Sequence, residues 1–197
     1  MTSIVALDRR AVEVSVEITQ AIRSAHLARA TPCAGWTVAD LLAHMIAQHN
    51  GFSAAANGNG AHLSTWRMPA VGEDPAGAYA AAAHRVIDAF AAADVLQRSF
   101  WLPEIRGGIS LPAQTAIGFH LVDYVVHGWD VAAALGVPVH YPDEVVTAAL
   151  AIAEKVPDDA TRQAPGASFR PARPVGVSET PMRRMLLLLG RSPSWPD

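Results

Sequence analysis

The densest apolar stretch of the chain runs from position 111 to 135, a length that suits a helix and not a strand. Ile117, Leu121, Val122, Tyr124, Val125, Val126, Trp129, Val131 and Leu135 leave it apolar almost all round, the mark of a buried helix. Within it His120, Asp123 and His127 fall on one stripe, inside about 60° at the helical 100° per residue. Ala116 and Ala134 extend that stripe above and below, so nothing large blocks it. Buried imidazoles and carboxylates need hydrogen-bonding or charged partners, or a metal ion. Asp123 and His127, four residues apart, can reach one point in space.

The remaining pattern is also helical. An apolar side of Val12, Val16, Ile18, Ile22 and Leu27 predicts a first helix over 8–29, with Asp8 placed to cap it. Pro32 and Gly35 interrupt, and Thr37 with Asp40 three residues on starts a second helix over 38–57. Its main apolar face carries Val38, Leu41, Leu42, Met45, His49 and Phe52, with His44 at the edge. Residues 57–69 read as a loop with a turn at the repeated Asn-Gly, long enough to cross the bundle or border a site. Asp74-Pro75 opens a third helix to about 100, followed by a loop over 101–108. Ser110 is placed to cap the long fourth helix and Gly136 to stop it.

A fifth helix spans 143–156. The proline-, glycine- and arginine-rich stretch 157–181 has no period and reads as an extended segment anchored by Phe169 and Val175. A last short helix over 182–189 follows. No repeat and no convincing strand emerges. The expected fold is all-α: a four-helix bundle over 1–156 with a segment and short helix over 157–197 packed on it.

Composition narrows the function classes. Half the residues (51%) are hydrophobic and 17% charged, a globular balance, and the net charge of −3 offers no basic footprint for nucleic acid. No apolar run is long enough to span a membrane, and the first ten residues lack the charge-then-apolar order of a signal peptide. Cys33 is the single cysteine, which excludes an internal disulfide and makes a reducing cytoplasm the default setting. Cys33 reads as a packed small residue, because no basic or metal-ligating residue adjoins it in sequence.

Two stretches carry a family likeness: Thr31-Pro-Cys-Ala-Gly-Trp-Thr-Val-Ala-Asp-Leu-Leu-Ala-His44, and Asp123-Tyr-Val-Val-His-Gly-Trp-Asp-Val-Ala-Ala-Ala134. Together with the ending around Phe169 and 186–193, they resemble the DinB-like superfamily. Within it the likeness is to the branch that includes the metal-binding N-terminal domain of mycothiol-dependent maleylpyruvate isomerase. The resemblance implies an up-and-down bundle holding a divalent metal between His44, Asp123 and His127; the isomerase has glutamate where this chain has Asp123. It implies zinc, with nickel or iron also compatible with such a ligand set, and a mycothiol-type thiol as cosubstrate.

The resulting expectation is a metal-dependent thiol S-transferase or isomerase acting on a small electrophile, with His120 as the acid/base candidate. The competing expectation is a non-catalytic metal- or ligand-binding bundle; read without any metal, His44 and His127 are buried structural histidines and Asp123 pairs with one of them. Either fits a small-molecule ligand and a possible homodimer. Asp130 could orient His127, cap a neighbouring helix or bind the Trp36 turn, and spacing does not choose between them. His49 reads as core, and His26 and His62 as solvated.

Overall fold

A computed structural model describes residues 2–105, 107–164 and 167–196. Arg106 of the 101–108 loop and residues 165–166 of the extended segment lie outside the described residues.

The fold is mostly helical. Helices α1 (Ile4–Thr19), α2 (Val38–Ala56), α3 (Pro75–Phe90) and α4 (Ala113–Leu135) form the bundle. Each neighbours two others: α4 packs on α1 and α2, and α3 packs on α1 and α2. Helix α5 (Asp143–Ala153) leans on α4 and α1, and α6 (Pro181–Leu188) leans on α5. The expected adjacency of α2 and α4 is present. Among the described residues no helix is long and apolar enough to cross a membrane.

The first helix differs from expectation at both ends. Ser3, not Asp8, caps it, its side chain accepting from the Ala6 amide at 3.2 Å. Asp8 lies on the inner face, 1% exposed. The helix ends at Thr19 rather than near 29. There the Arg23 guanidinium donates to the carbonyls of Gln20 and Ile22 and so takes up C-terminal acceptors. Helix α2 starts where the capping pair requires: Thr37 accepts from the Asp40 amide and Asp40 accepts from the Thr37 amide.

The largest departure is a β-hairpin. Strand β1 (Ser99–Leu102) pairs antiparallel with β2 (Ile109–Pro112), so the third helix stops at Phe90 instead of reaching 100. Phe100 and Leu102 are buried while Ser99 and Trp101 are exposed, a period of two hidden behind an alanine-rich helix. Gly107 and Gly108, both at positive φ, supply the reversal. Ser110 pairs with Trp101 and therefore does not cap α4; Pro112 stands at that position. Gly136 ends α4 in the left-handed conformation, as expected.

The C-terminal segment is tied down by one buried side chain. The Arg162 guanidinium donates to the carbonyls of Val156, Pro157, Arg170 and Leu188, joining the segment's start, middle and last helix. Phe169 packs on the apolar cluster between α4, α5 and α6, and Val175 is half-buried.

Candidate metal centre

Between α1 and α2 the chain makes a tight turn. The Thr31 amide and hydroxyl both donate to the Trp36 carbonyl, and the Cys33 amide donates to the Thr31 hydroxyl. Gly35 takes φ 84°, a conformation glycine adopts at no steric cost. This turn sets the Cys33 thiol and the Trp36 ring against one end of the bundle, and Trp36 lies 5.0 Å from His44 between ring centroids.

At that end α2 presents His44 and α4 presents Asp123 and His127. His44 Nε2 is 3.9 Å from Asp123 Oδ2, and His127 Nε2 is 3.3 Å from Asp123 Oδ1. One ligand atom from each of the three lies within 4.8 Å of the others. Zinc bonds of about 2.0–2.2 Å hold ligand atoms roughly 3–4 Å apart, so the group fits a divalent ion after a small closure. The His44 and Asp123 side chains keep 23% and 24% exposure, which leaves one side of the group open.

A second set of donors lies behind the first. Asp130 Oδ2 accepts from His127 Nδ1 at 2.9 Å and from the Cys33 thiol at 3.1 Å, and Cys33 Sγ is 3.8 Å from His127 Nδ1. Cys33, His127 and Asp130 are also close enough to share an ion. Their donors are already engaged with one another, however, and Arg191 Nη2 lies 3.2 Å from Asp130 Oδ2 and 3.5 Å from Cys33 Sγ. A cation competes poorly beside a guanidinium. On that argument we propose the outer group of His44, Asp123 and His127 as the ligand set. Asp130 takes the orienting position behind His127 and turns Nε2 toward Asp123.

Electrostatics agree with that division. Burial drives the His44 pKa down to about 4, so the imidazole is neutral with a free lone pair at physiological pH. Burial alone would push Asp123 up, but His127 and His44 beside it hold the carboxyl well below the usual range. For His127 burial opposes the charge, yet Asp123, Asp130 and Cys33 outweigh it and raise the pKa well above normal. Metal-free His127 thus carries a proton between two carboxylates, and an ion taking Nε2 must displace it.

His120 is not on the open side. It is fully buried, with Nδ1 2.7 Å from Asp8 Oδ1 and Nε2 3.2 Å from His49 Nδ1. Its ring is boxed by Phe52, Phe90 and Tyr124. Helix α4 passes through the bundle interior, so the shared stripe spans both the site and the core, and position 120 falls in the core. The expected acid/base placement is corrected accordingly: His120 bridges α1, α2 and α4. His49 is core as expected, stacked on Tyr124 at 3.9 Å.

Within this interior network His49 is expected to make stability fall with pH. Burial, with His120 beside it, keeps His49 well below its ordinary pKa of about 6.5. Because the folded pKa is depressed, only the unfolded chain takes up the proton as pH falls below about 6.5, and stability drops with it. The slope approaches about 1.4 kcal/mol per pH unit for one such histidine. Urea unfolding of the metal-free protein between pH 7.5 and 5 should show a shallower pH slope in His49→Leu than in the parent. Equal slopes would remove His49 as a source.

Sequence reading missed Arg191 and the engagement of Cys33. Nothing adjacent to either signals the other, since they lie 158 positions apart. The two loops read from the sequence, over 57–69 and 101–108, are placed as follows. Residues of the 57–69 stretch line a separate groove of about 580 Å³ with Asn50 and Arg85, which none of the three ligand residues touches. Glu104, in the hairpin loop, accepts from Gln48 Nε2, one turn beyond His44 on α2.

Comparison with known proteins bears on the family and the fold. Residues 9–132 match the family described as the mycothiol maleylpyruvate isomerase N-terminal domain. An uncharacterized protein of Mycobacterium tuberculosis, found in strains CDC 1551 / Oshkosh and ATCC 25618 / H37Rv, is 28% identical over 190 residues. That alignment covers 93% of this chain and 95% of the relative. The crystal structure of the mycothiol-dependent maleylpyruvate isomerase superposes with TM-score 0.54 at 15% identity, covering 78% of this chain and 72% of that one. A histidine-to-alanine mutant of the isomerase gives 0.51 at 16% identity and the same coverage. At such identities the structural likeness speaks for the fold alone.

Proposed function

The chain belongs to the mycothiol maleylpyruvate isomerase N-terminal domain family, and from that premise we propose a metal-dependent enzyme. It uses a low-molecular-weight thiol of the mycothiol type, as an S-transferase or isomerase acting on a small electrophilic substrate. The observation that carries this reading is the donor group of His44, Asp123 and His127, converged and open on one side. A catalytic centre keeps such an opening, whereas a structural one is closed by its fourth ligand. A zinc, nickel or ferrous ion held there would lower the pKa of a bound thiol and hold it in its reactive form.

The chain's own residues divide the remaining work. His44 offers a neutral imidazole and Asp123 an anion, while Asp130 holds His127 with Nε2 facing outward. Trp36 packs beside His44, its ring tilted against the imidazole. His120 has no exposed surface and takes no part in proton transfer to substrate in this reading. A single cysteine fits a reducing, cytoplasmic setting.

The test is spectroscopic. Cobalt-substituted protein at full metal occupancy should gain an intense sulfur-to-metal charge-transfer band when millimolar mycothiol is added. An unchanged spectrum sinks the thiol reading and leaves the non-catalytic metal- or ligand-binding bundle as the better account.

A further inference from the structure

We propose that Arg191 is a positioning residue of the metal centre: through Asp130 it holds His127 toward the outer ligand group, and its charge keeps metal out of the inner one. The proposal rests on the metal reading above. Its basis is a chain of contacts crossing from the C-terminal segment into the bundle.

Arg191 lies just past α6, after Leu189 and Gly190, and is 7% exposed, far from the solvated position usual for arginine. Its backbone amide donates to the Leu186 carbonyl at 2.8 Å, and Nη1 donates to the Leu189 carbonyl at 3.0 Å. The Phe169 ring lies beneath the guanidinium, 5.6 Å from Cζ to the centroid. Gly190, at φ 80°, makes the turn that aims the side chain inward, and a Cβ there would sit 2.6 Å from that of Arg170. The guanidinium is therefore fixed by its own segment before it touches the site.

What it touches is the inner donor set. Nη2 contacts both Asp130 Oδ2 and Cys33 Sγ, the two atoms that could otherwise share an ion with His127. Two consequences follow from one contact. Asp130, fully buried, stays paired and keeps accepting from His127 Nδ1, which leaves Nε2 facing Asp123. A divalent ion on the inner set would share its space with a fixed positive charge, so the outer set is favoured. Without Arg191, Cys33, His127 and Asp130 form an unguarded thiol–imidazole–carboxylate group of the kind zinc and cobalt accept.

Cobalt titration of the full chain in thiol-free buffer decides it. Wild-type protein should bind cobalt without a sulfur charge-transfer band. Arg191→Gln should bind about 10–100-fold more weakly at the outer group. It should also gain a sulfur band that disappears when Cys33→Ser is added. Arg191→Lys keeps a positive charge but gives up the planar fork, so it should lose affinity without gaining the band. If Arg191→Gln does not fold, Arg191→Lys carries the test. Wild-type affinity together with a wild-type spectrum in the folded variant overturns the proposal. If the wild type itself takes up no cobalt, the metal reading fails instead. The positioning role is then decided on metal-free protein by the ¹⁵N resonances of the His127 ring: a changed Nδ1 signal in the variant supports it, and an identical pattern overturns it.

Discussion

His127→Ala should bind zinc or cobalt at least about 100-fold more weakly than the parent, beyond the 10–100-fold typical for loss of a residue that merely supports a ligand. The reason is that position 127 does three things at once. Its Nε2 is the donor closest to Asp123, at 3.3 Å, its Nδ1 receives the support of Asp130, and its ring lies edge-on to His44 at 5.1 Å. Removing the imidazole leaves two donors 3.9 Å apart and strips Asp123 of its nearest cationic neighbour. His44→Ala should fall in the same range. His120→Ala should leave affinity unchanged within error, because its ring is sealed between Asp8 and His49. Isothermal titration of the three variants against one metal checks the set, and equal loss in His120→Ala would place that residue among the ligands after all.

Arg191→Met should cost the fold about 3–5 kcal/mol, the range for leaving one partner of a buried ion pair without the other. Asp130 is fully buried and Arg191 nearly so. Burial disfavours the Asp130 charge, and the Arg191 cation, with hydrogen bonds from His127 and Cys33, more than offsets that. The Arg191 guanidinium is stabilised in turn by Asp130 and Cys33. Among the described residues Asp130 Oδ1 and Arg191 Nε find no hydrogen-bond partner, so the pair already carries an unmet polar cost. Combining Asp130→Asn with Arg191→Met removes both charges and should recover much of the loss, since neutralising a buried pair as a whole is often close to neutral. Chemical unfolding of the two single variants and the double variant measures the coupling directly. Additive losses would mean that the two residues do not depend on each other.

The two predictions meet at one place. The same carboxylate oxygen that pairs with Arg191 also accepts from His127 Nδ1. A change at position 191 therefore reaches the ligand group without touching it. In the proposed reading that coupling makes the segment after α6 part of the centre, although its own residues supply none of the three outer donors.

Much of the molecule was legible from local pattern. Capping and periodicity act over a few residues, so Thr37 with Asp40 marked the start of α2 and Gly136 the end of α4. Four residues separate Asp123 from His127 on one helix, so their convergence needed no tertiary information. His44 came from the resemblance, and the packing of α2 on α4 brought it to the other two. Local pattern failed where a residue's role depended on what lay across the bundle. Asp8 has the chemistry of a cap, but α1 begins earlier, and the carboxylate meets His120 from 112 positions away. His120 shares a stripe with the ligands, yet only packing decides that one turn of α4 lies in the core and the next at the opening. The hairpin needed pairing between strands, and Arg191 needed a turn that returns the chain to Asp130 across 61 positions. Periodicity records which face of an element is buried; which partner waits on that face is set by contacts between distant residues, and only the folded chain brings those together.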